Sequence, residues 1–327
     1  EVPEMAHNCK FFLSCFRLAR THRPDMLYHR YSLMHISSIL VSRILNIPLV
    51  IEYNGSDAWI REIWGGRIFF KHLAIIAEKV ILNQAHYISV VSEVLLDQLL
   101  QQGVAKEKII MSPNGVDVEQ FSPLQSGDTI REGLGLNIST ILVGFVGSFG
   151  PWHGVDILAH AIGPVVKRYS NIHFLFIGNG ALRPRVEEII RISNSQTSVT
   201  FLENISHDEI PQYLRACDIL TSPHVRNVDG SRFFGSPTKL FEYMAVERPI
   251  IASELEQLGD VLEHGVSAWL IPPNDIAALA EGIMLLAHDS ELRSRLALYA
   301  RRQVLRAYTW DNAVARTFDH MGKPVVC

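Results

Sequence analysis

The stretch DGSRFFGSPTKLFEYMAVERPIIAS, residues 229–253, decides the fold that this chain can adopt. It begins as a polar loop with two glycines, continues as KLFEYMA in helical spacing, and ends in an apolar segment at 250–252. Ser236 is a good N-cap, and Pro237 suits the first helical position because its missing N–H would lack a partner there anyway. A loop, a helix and a buried strand in this order are typical of parallel α/β sheets.

The start of this helix has the chemistry of an anion-binding site. The N–H groups of Thr238 and Lys239 point out of the first turn, where the helix dipole favours negative charge. Glu242 follows in the second turn, among apolar neighbours that leave its carboxylate without a partner. Phosphates at the amides and ribose hydroxyls on the carboxylate would satisfy both groups. The stretch therefore predicts a site for a nucleoside diphosphate.

Length and composition exclude several classes of protein. The 327 residues exceed a usual single domain, so two domains are expected. With 48% hydrophobic and 20% charged residues, the chain is neither disordered nor fibrous. A net charge of -4 gives no support for a nucleic-acid partner. No apolar run reaches the roughly 20 residues of a membrane span, and the start lacks a signal-peptide layout.

The cysteines predict no metal site, because their spacing is not that of metal ligands. The four are Cys9, Cys15, Cys217 and Cys327. Buried thiols in a reducing compartment explain them. We therefore expect a cytoplasmic protein, with the inner face of the membrane as a second location.

The first half of the chain alternates strands and helices. Strands are predicted at 26–29, 49–52, 87–91 and 108–112, and helices at 1–22, 31–45, 60–83 and 92–102. A turn at 113–117 ends a first domain of residues 1–117, and a linker rich in Pro, Ser and Gly follows at 118–139. Asn54 stands in a polar loop at the carboxyl end of the second strand, where loops of open parallel sheets carry function.

The helix predicted at 60–83 leaves two interpretations open. Its aromatic and basic side chains include Trp64, Phe69, Phe70, Arg67, Lys71 and Lys79. A basic aromatic helix can lie on an anionic membrane surface. One helix face packed on a sheet explains the same pattern. We favour packing and keep peripheral membrane contact as the alternative.

The second half repeats the strand–helix rhythm more clearly. Strands are predicted at 141–146, 173–177, 199–202, 218–222, 250–252 and 268–271, and helices from 155 onward and at 182–192, 208–216, 275–287 and 291–307. Gly163 and Pro164 should kink or split the helix that starts at 155. The second domain then spans 140–307, and a helical segment at 308–327 can cross back to the first domain. This order predicts a doubly wound parallel sheet in each domain.

Two glycine-rich turns follow strands of the second domain. The turn at 178–180 resembles the start of a dinucleotide fingerprint, but Arg183 stands where the third glycine belongs. The turn at 147–154 lacks the Lys-Ser/Thr ending of a P-loop. A hydride-transfer cofactor and an ATPase are therefore both disfavoured. Together with the loop at 229–238, these turns should line one edge of one sheet.

Five motifs together resemble the retaining glycosyltransferases of family 4, which have the GT-B fold. They are GSPTKLFEYMA (235–245), PNGVD (113–117), the loop 147–154, the turn 178–180 and HGVSAWLIPPND (264–275). The resemblance implies two Rossmann-like domains that face each other across a cleft, with the nucleotide-sugar donor held mainly by the second. It also implies metal-independent transfer of a sugar, with retention, onto a polysaccharide or lipid-linked acceptor. No cofactor is implied beyond the nucleotide-diphosphate sugar, which is a co-substrate.

Carried over to this chain, the resemblance implies a set of donor-binding residues. They are Glu242, Lys239, Thr238, Ser236, Leu240, Gly147, Ser148, Phe149, His153, Gly178 and Asn179. Glu242 matches the second glutamate of the Glu-x7-Glu motif, which is expected on the donor ribose.

The chain departs from the family at four positions. Phe234 replaces the first glutamate of the motif, while Ser148 and His153 replace the loop Arg and Lys that meet the diphosphate. Lys239 can supply the missing cation, and His153 a weaker, pH-dependent donor. Asn54 stands where many relatives have a sugar-contacting histidine. Two alternatives therefore stay open, a sugar-nucleotide epimerase of the same fold and a non-catalytic nucleotide-sugar-binding module.

The first domain is expected to be incomplete. A strand–helix–strand unit takes roughly 30 residues or more, and only 22 residues precede Arg23. We therefore expect an N-terminally truncated chain whose first sheet has fewer strands than the second. An unpaired edge should lie at 26–29 or 49–52.

Overall fold

Two parallel sheets organise the chain. The computed structural model describes residues 2–57, 59–60, 70–227 and 229–322, with side chains from residue 8 onward. The described residues of Glu1–Pro113 and Val314–Cys327 form one compact unit, and those of Asn114–Ala313 form a second. Within them the first sheet has four strands and the second has six. The predicted fold class, two α/β domains with parallel sheets, is confirmed.

The sheet of the first unit has the strand order β1-β2-β3-β4. Its strands are β1 (Leu27–Arg30), β2 (Leu49–Tyr53), β3 (Tyr87–Val90) and β4 (Ile109–Met111), and its helices are α1 (Val2–His22), α2 (Ser37–Leu45), α3 (Lys71–Gln84) and α4 (Glu93–Gln101). A 3-10 turn at Lys106–Lys108 precedes β4. Among the described strands, β1 pairs only with β2, so it forms one edge of a sheet that is smaller than the second, as predicted.

Helix α1 packs on α2 through the apolar side that the sequence predicts. Phe12, Cys15 and Phe16 contact a small buried cluster formed by Ala19, Val41 and Ile47. The side chain of Asn8 adds a polar contact, because its Oδ1 accepts from Ile36 N at 3.1 Å. The two helices are therefore held together by apolar burial and by the hydrogen bond from the Ile36 N–H, at the start of α2, to Asn8 of α1.

The helix predicted at 31–45 is wrong over its first part, because α2 begins only at Ser37. The backbone of Tyr31 continues the strand direction instead, and its N–H donates to Glu52 O at 2.8 Å. Its phenol donates to the buried carboxylate of Glu78 at 2.9 Å. The hydrogen bond between Tyr31 and Glu78 therefore outweighs the helical pattern of the residues that follow Tyr31.

Helix α3 has one buried and one exposed apolar side. Ala74, Ile81 and Leu82 are buried, while Leu73, Ile76 and Val80 are exposed. The sequence favours a helix that packs one face on the sheet, and the buried side of α3 is such a face. The remaining part of the helix predicted at 60–83 lies largely outside the described residues.

The sheet of the second unit has the order β10-β9-β8-β5-β6-β7. Its strands are β5 (Ile141–Val146), β6 (Ile172–Ile177), β7 (Val199–Leu202), β8 (Ile219–Ser222), β9 (Ile250–Ser253) and β10 (Trp269–Ile271). Its helices are α5 (Asp128–Gly133), α6 (Val155–Arg168), α7 (Arg183–Ile192), α8 (Ile210–Ala216), α9 (Thr238–Ala245), α10 (Gln257–Val261), α11 (Ile276–His288) and α12 (Ser290–Ala307). Helix α13 (Trp310–His320) begins in this unit and ends in the first, and a 3-10 turn at Gln196–Ser198 precedes β7.

This sheet is covered on both faces, because alternate side chains of a strand point to opposite sides. One buried cluster joins strand residues such as Leu175 and Leu220 to Leu240 of α9. The other joins Phe145 and Phe176 to helices α6 and α11. Helices on both faces of a parallel sheet make the doubly wound arrangement, with α9 buried from Lys239 to Ala245.

Helix α6 runs unbroken from Val155 to Arg168, although Pro164 lies inside it. The predicted split is therefore absent. Pro164 leaves the carbonyl of His160 without its helical donor. Because His160 is exposed, a water molecule can donate to this carbonyl, and the missing helical hydrogen bond costs less than it would in the core.

The segment predicted as a linker, 118–139, lies in the second unit and carries α5. Arg131 fixes it by donating to Ala216 O at 2.8 Å and to Asp218 Oδ2 at 3.0 Å. Gly127 lies so close to α8 that an ideal Cβ would fall 2.3 Å from Ala216 N. This segment is therefore packed rather than free.

Of the helices described above, none combines the length and the apolar composition needed to cross a membrane.

The packing of the 118–139 segment predicts different effects for two glycine substitutions. Gly127→Ala should destabilise the second unit by roughly 1–3 kcal/mol, because a methyl group is forced against backbone. Gly133→Ala is the control, since nothing lies within 4 Å of its Cβ position and alanine favours a helix. Thermal melts of both variants check this, and equal melting temperatures would contradict the packing of Gly127 on α8.

Candidate functional site

Two glycine-rich loops interlock at the carboxyl edge of the second sheet. Gly147 N donates to Ile177 O at 2.9 Å, and Phe149 N donates to Asn179 O at 3.0 Å. Gly178 has φ 128°, and an ideal Cβ on it would fall 2.1 Å from Gly147 O. Only glycine fits there. The predicted convergence of loops 147–154 and 178–180 is confirmed.

Helix α9 is attached to the same edge through Tyr243. Val146 N donates to the buried phenol oxygen of Tyr243 at 2.9 Å. One turn earlier, the Nζ of Lys239 lies 2.5 Å from the ideal Cβ position of Gly147. A side chain at 147 would therefore displace the ammonium. The third loop thus meets the first, as the sequence predicts.

The start of α9 differs from the prediction by one residue. Helix α9 begins at Thr238, and Pro237, with φ -67° and ψ 112°, is the N-cap rather than the first helical residue. Ser236 does not cap the helix. Its Oγ accepts from Asn114 N at 3.1 Å, and its carbonyl accepts from Asn114 Nδ2 at 2.7 Å. Ser236 therefore anchors Asn114, the first residue of the second unit.

Two of the predicted donor-binding residues have structural roles here. Leu240 is fully buried, and its N–H donates to Pro237 O at 3.0 Å, so it offers the site neither side chain nor amide. The backbone of Phe149 is engaged on both sides, because its carbonyl accepts from Leu182 N at 3.0 Å. Its ring is also fully buried. Both residues position the loops instead of presenting a contact group.

Lys239 is the central cation of the site. It is 8% exposed, and its Nζ lies 4.4 Å from the centre of the Phe145 ring. Within the described residues this Nζ has no hydrogen-bond partner. Burial lowers the pKa of Lys239 to about 7, while the nearby carboxylate of Glu242 opposes the shift. An unpaired buried ammonium is costly, which makes this position a strong candidate for anion binding.

Glu242 lies one turn further along α9. It is 9% exposed, and burial raises the pKa of its carboxyl group. His207, in the loop after β7, has its Nε2 3.3 Å from Glu242 Oε1. The ring of His207 in turn lies edge-on to Phe121 at 5.3 Å. A ligand hydroxyl group on this carboxylate would compete with or join the contact from His207.

Both ring nitrogens of His153, the predicted pH-dependent donor, are engaged within the loop. Trp152 Nε1 donates to its Nε2 at 3.0 Å, so a neutral ring carries its proton on Nδ1, 2.5 Å from Ser148 O. Burial, together with the charge of Lys239, lowers the pKa of His153 to about 3. The ring is therefore neutral at ordinary pH, and both its nitrogens hold the loop in shape.

The turn at 178–180 is stabilised by a small ionic group. Asn179 Nδ2 donates to Glu203 Oε2 at 3.1 Å, and Arg183 pairs with Glu203 Oε1 at 3.0 Å. The guanidinium of Arg183 lies 3.8 Å from the centre of the Phe201 ring. Arg183, which replaces the third glycine of the dinucleotide fingerprint, therefore helps to fix the turn through its ion pair with Glu203.

The polar loop of the first unit is built around Glu78. Its carboxylate accepts from the hydroxyl groups of Tyr31, Tyr53 and Ser56 at 2.9–3.1 Å. Asn54 lies in the same loop, and its Nδ2 donates to Glu52 Oε1 at 2.6 Å. Its Oδ1 is buried and has no partner among the described residues. Asn54 is therefore placed at a strand end, as predicted.

The sequence reasoning missed two histidines. His224, two residues after β8, is fully buried, and its ring centre lies 5.1 Å from that of His153. His207 was missed because a histidine in a loop after a strand is a weak pattern. Their common signal is position, since each follows a strand whose carboxyl end reaches the edge of the site.

No group of three or more His, Cys, Asp or Glu side chains in the described ranges could hold a metal ion.

Comparison with known proteins identifies the family. The family model of Glycosyltransferase Family 4 matches residues 2–120, and that of Glycosyl transferases group 1 matches residues 140–289. Among solved structures, Anabaena HepE, crystallised with UDP, has a TM-score of 0.77 at 18% identity and covers 96% of this chain and 82% of its own. Sucrose-phosphate synthase from Thermosynechococcus elongatus has a TM-score of 0.74 at 21% identity, over 96% and 77%.

Curated relatives agree with the family models. An uncharacterised glycosyltransferase of Methanocaldococcus jannaschii is 28% identical over 89% of this chain and 73% of its own length. The alpha-D-kanosaminyltransferase of Streptomyces kanamyceticus is 23% identical over 79% and 66%. The chain spans about half the length of some other relatives. Matches to both halves, in the family's order, show that this chain belongs to glycosyltransferase family 4 and has the GT-B fold.

Proposed function

We propose that this chain binds a nucleotide-diphosphate sugar and transfers the sugar, with retention, to a polysaccharide or lipid-linked acceptor. The observation that carries the proposal is the unpaired, buried ammonium of Lys239 beneath the glycine-rich loop, one turn from the carboxylate of Glu242. The family membership supplies the reaction class. The UDP complexes of structural neighbours support a nucleotide as the ligand of such a site.

The roles follow from charge. Glycosyl transfer leaves negative charge on the departing diphosphate, and the Lys239 ammonium near Gly147 is placed to stabilise it. The start of α9 at Thr238 adds its helix dipole. Glu242 accepts hydrogen bonds from the donor ribose. Transfer in this proposal needs no metal ion, because these groups take the place of a divalent cation. Asn54 remains our candidate for contact with the transferred sugar.

A cytoplasmic location, with the acceptor at the inner face of a membrane, is part of the proposal. The exposed apolar side of α3, with Leu73, Ile76 and Val80, supports contact with such a surface.

A transfer assay tests the proposal directly. Radiolabelled UDP-, GDP- and ADP-sugars are incubated with the chain alone, with a membrane extract, and with the extract plus a chelator. We expect labelled product only when extract is present, and no effect of the chelator. Free nucleotide released without extract would favour an epimerase instead. Binding without any turnover would indicate a binding module, and activity that requires added magnesium would contradict metal independence.

Glu242→Ala should weaken nucleoside diphosphate binding by a few kcal/mol. Removing the carboxylate leaves the ribose hydroxyl groups buried without partners. Calorimetric titration with UDP, GDP and ADP measures the loss, and the melting temperature checks the fold. Glu188→Ala is a matched control, because this exposed carboxylate pairs with Arg191 on its own helix, α7. A folded Glu242→Ala variant with wild-type affinity would show that the ribose assignment is wrong.

Lys239→Met should stabilise the free protein and weaken its binding of diphosphate. The thioether fills similar space without an unpaired buried charge, while the ligand loses a charge-assisted hydrogen bond, worth roughly tenfold or more in affinity. The free nucleoside should bind both proteins equally. A variant that is less stable yet binds diphosphate normally would contradict this role.

The same lysine predicts the pH dependence of binding. Burial places the pKa of Lys239 at about 7 in the free protein, and a bound diphosphate favours the charged form. Binding above pH 7 must therefore take up a proton. The dissociation constant should rise by up to about tenfold per pH unit above 7. Calorimetry in two buffers of different ionisation enthalpy measures this uptake, which Lys239→Met should abolish.

A further inference from the structure

His224 is a buried base that the proposed function does not use. It follows β8, is fully buried, and has its Nδ1 3.0 Å from Ser222 Oγ. Its Nε2 has no hydrogen-bond partner in the part of the chain that the structure describes. Buried polar atoms without partners are rare in native proteins. His224 Nε2 is the second such atom near the candidate site, after Lys239 Nζ, and a ligand that contacts both atoms would satisfy them.

Both unpaired nitrogens lie under the same glycine-rich loop. At its first end, Gly147 approaches the Nζ of Lys239. At its second end, the ring of His153 lies edge-on to that of His224 at 5.1 Å. Beside it, Gly154 is so close to the neighbouring backbone that an ideal Cβ would fall 1.7 Å from Pro223 O. The loop therefore spans from one nitrogen to the other.

The two nitrogens together fit an anion that has several oxygen atoms. When the hydroxyl of Ser222 donates to Nδ1, a neutral His224 ring carries its proton on Nε2 and can donate it. Burial, with the charges of Lys239 and His153 nearby, holds the pKa of His224 well below its usual range. In that tautomer the ring is a neutral donor, and Lys239 is the cation beside it. Glu242 is the acidic group that acts on this lysine.

We propose that His224 binds the diphosphate of the donor through Nε2–H, as a second side-chain contact beside Lys239. This inference rests on the proposed nucleotide-sugar function and adds a residue to it. Ser148 and His153 stand where the family has basic diphosphate contacts, so the two buried nitrogens would supply those contacts from beneath the loop. Because both atoms are buried, residues around them must move when the ligand binds.

Two substitutions separate the nitrogens of the ring. In His224→Gln the amide reaches the position of Nε2 and retains a donor there. In His224→Asn the amide reaches only the position of Nδ1, so the contact with Ser222 is kept and the donor is lost. We expect His224→Asn to bind UDP, GDP or ADP, whichever the wild type binds, about tenfold to a hundredfold more weakly, as for a lost hydrogen bond to a charged group. His224→Gln should stay within about threefold of the wild type.

The free nucleoside and pyrophosphate show whether the effect is on phosphate. The nucleoside should bind the wild type and His224→Asn equally, whereas pyrophosphate should compete less well with the nucleotide in His224→Asn. Equal diphosphate affinity in a folded His224→Asn variant would overturn the proposal. So would an equal loss for nucleoside and diphosphate, which indicates a structural role alone.

A measurement on the wild type covers the case in which His224→Asn does not fold. In protein labelled with 15N-histidine, the Nε2 resonance that disappears in His224→Gln is assigned to His224. It should shift when the diphosphate is added and stay in place with the nucleoside. An Nε2 chemical shift that does not change when the diphosphate is added would overturn the proposal. A wild type that binds no nucleoside diphosphate would instead contradict the proposed function, so the two failures are distinguishable.

Discussion

The candidate site of the second unit depends on one buried side chain, Lys239, whose Nζ has no hydrogen-bond partner among the described residues. Lys239 Nζ is buried against the Phe145 ring and the backbone at Gly147. The aromatic face offers some attraction, but much less than water or a hydrogen bond would give. Such a cost persists only where the surrounding packing imposes it. Tyr243, on the next turn of α9, helps to hold the helix at this place, because its phenol oxygen accepts a hydrogen bond from Val146 N.

The groups around this lysine are arranged so that it is the main positive charge. His153 and His224 are both held neutral by burial and by the charge of Lys239 itself. Glu242 works in the opposite direction and favours the charged form of the lysine. A dianionic ligand would reinforce that effect. We therefore expect the free protein to keep this cation only partly charged near pH 7, and the proposed diphosphate to complete the charge.

The sequence predicts the fold well because the fold follows from repeated local patterns. Strands such as 141–146 are apolar runs that end at glycine, and the structure has β5 over the same residues. The prediction fails where one distant contact outweighs the local pattern, as at Tyr31, whose phenol bonds to Glu78 forty-seven positions away. It also fails at Ser236, an excellent cap by type, whose hydroxyl is taken by Asn114.

The candidate site is predicted less completely than the fold, because its chemistry depends on distances between separate loops. Lys239 and Glu242 follow from their spacing on one helix. The neutral state of His153 depends on Trp152 and on burial, which a sequence motif does not encode. His224 could be found only after β8 and the loop 147–154 were placed side by side. The signal for it is an unpaired atom, and that is a property of three-dimensional structure.

One buried polar network in the first unit is fully satisfied, whereas two buried nitrogens near the loop at 147–154 of the second unit are not. In the first unit the Glu78 carboxylate receives hydrogen bonds from three hydroxyl groups, Tyr31, Tyr53 and Ser56. A fully satisfied network of this kind makes a loop rigid, and here it holds the loop that carries Asn54. In the second unit the Nζ of Lys239 and the Nε2 of His224 have no partner among the described residues. Satisfied groups need nothing further, whereas these two nitrogens gain most from a ligand that brings oxygen atoms. Our proposal therefore assigns diphosphate binding to the residues at the loop 147–154, while the polar cluster of the first unit holds the loop that carries Asn54.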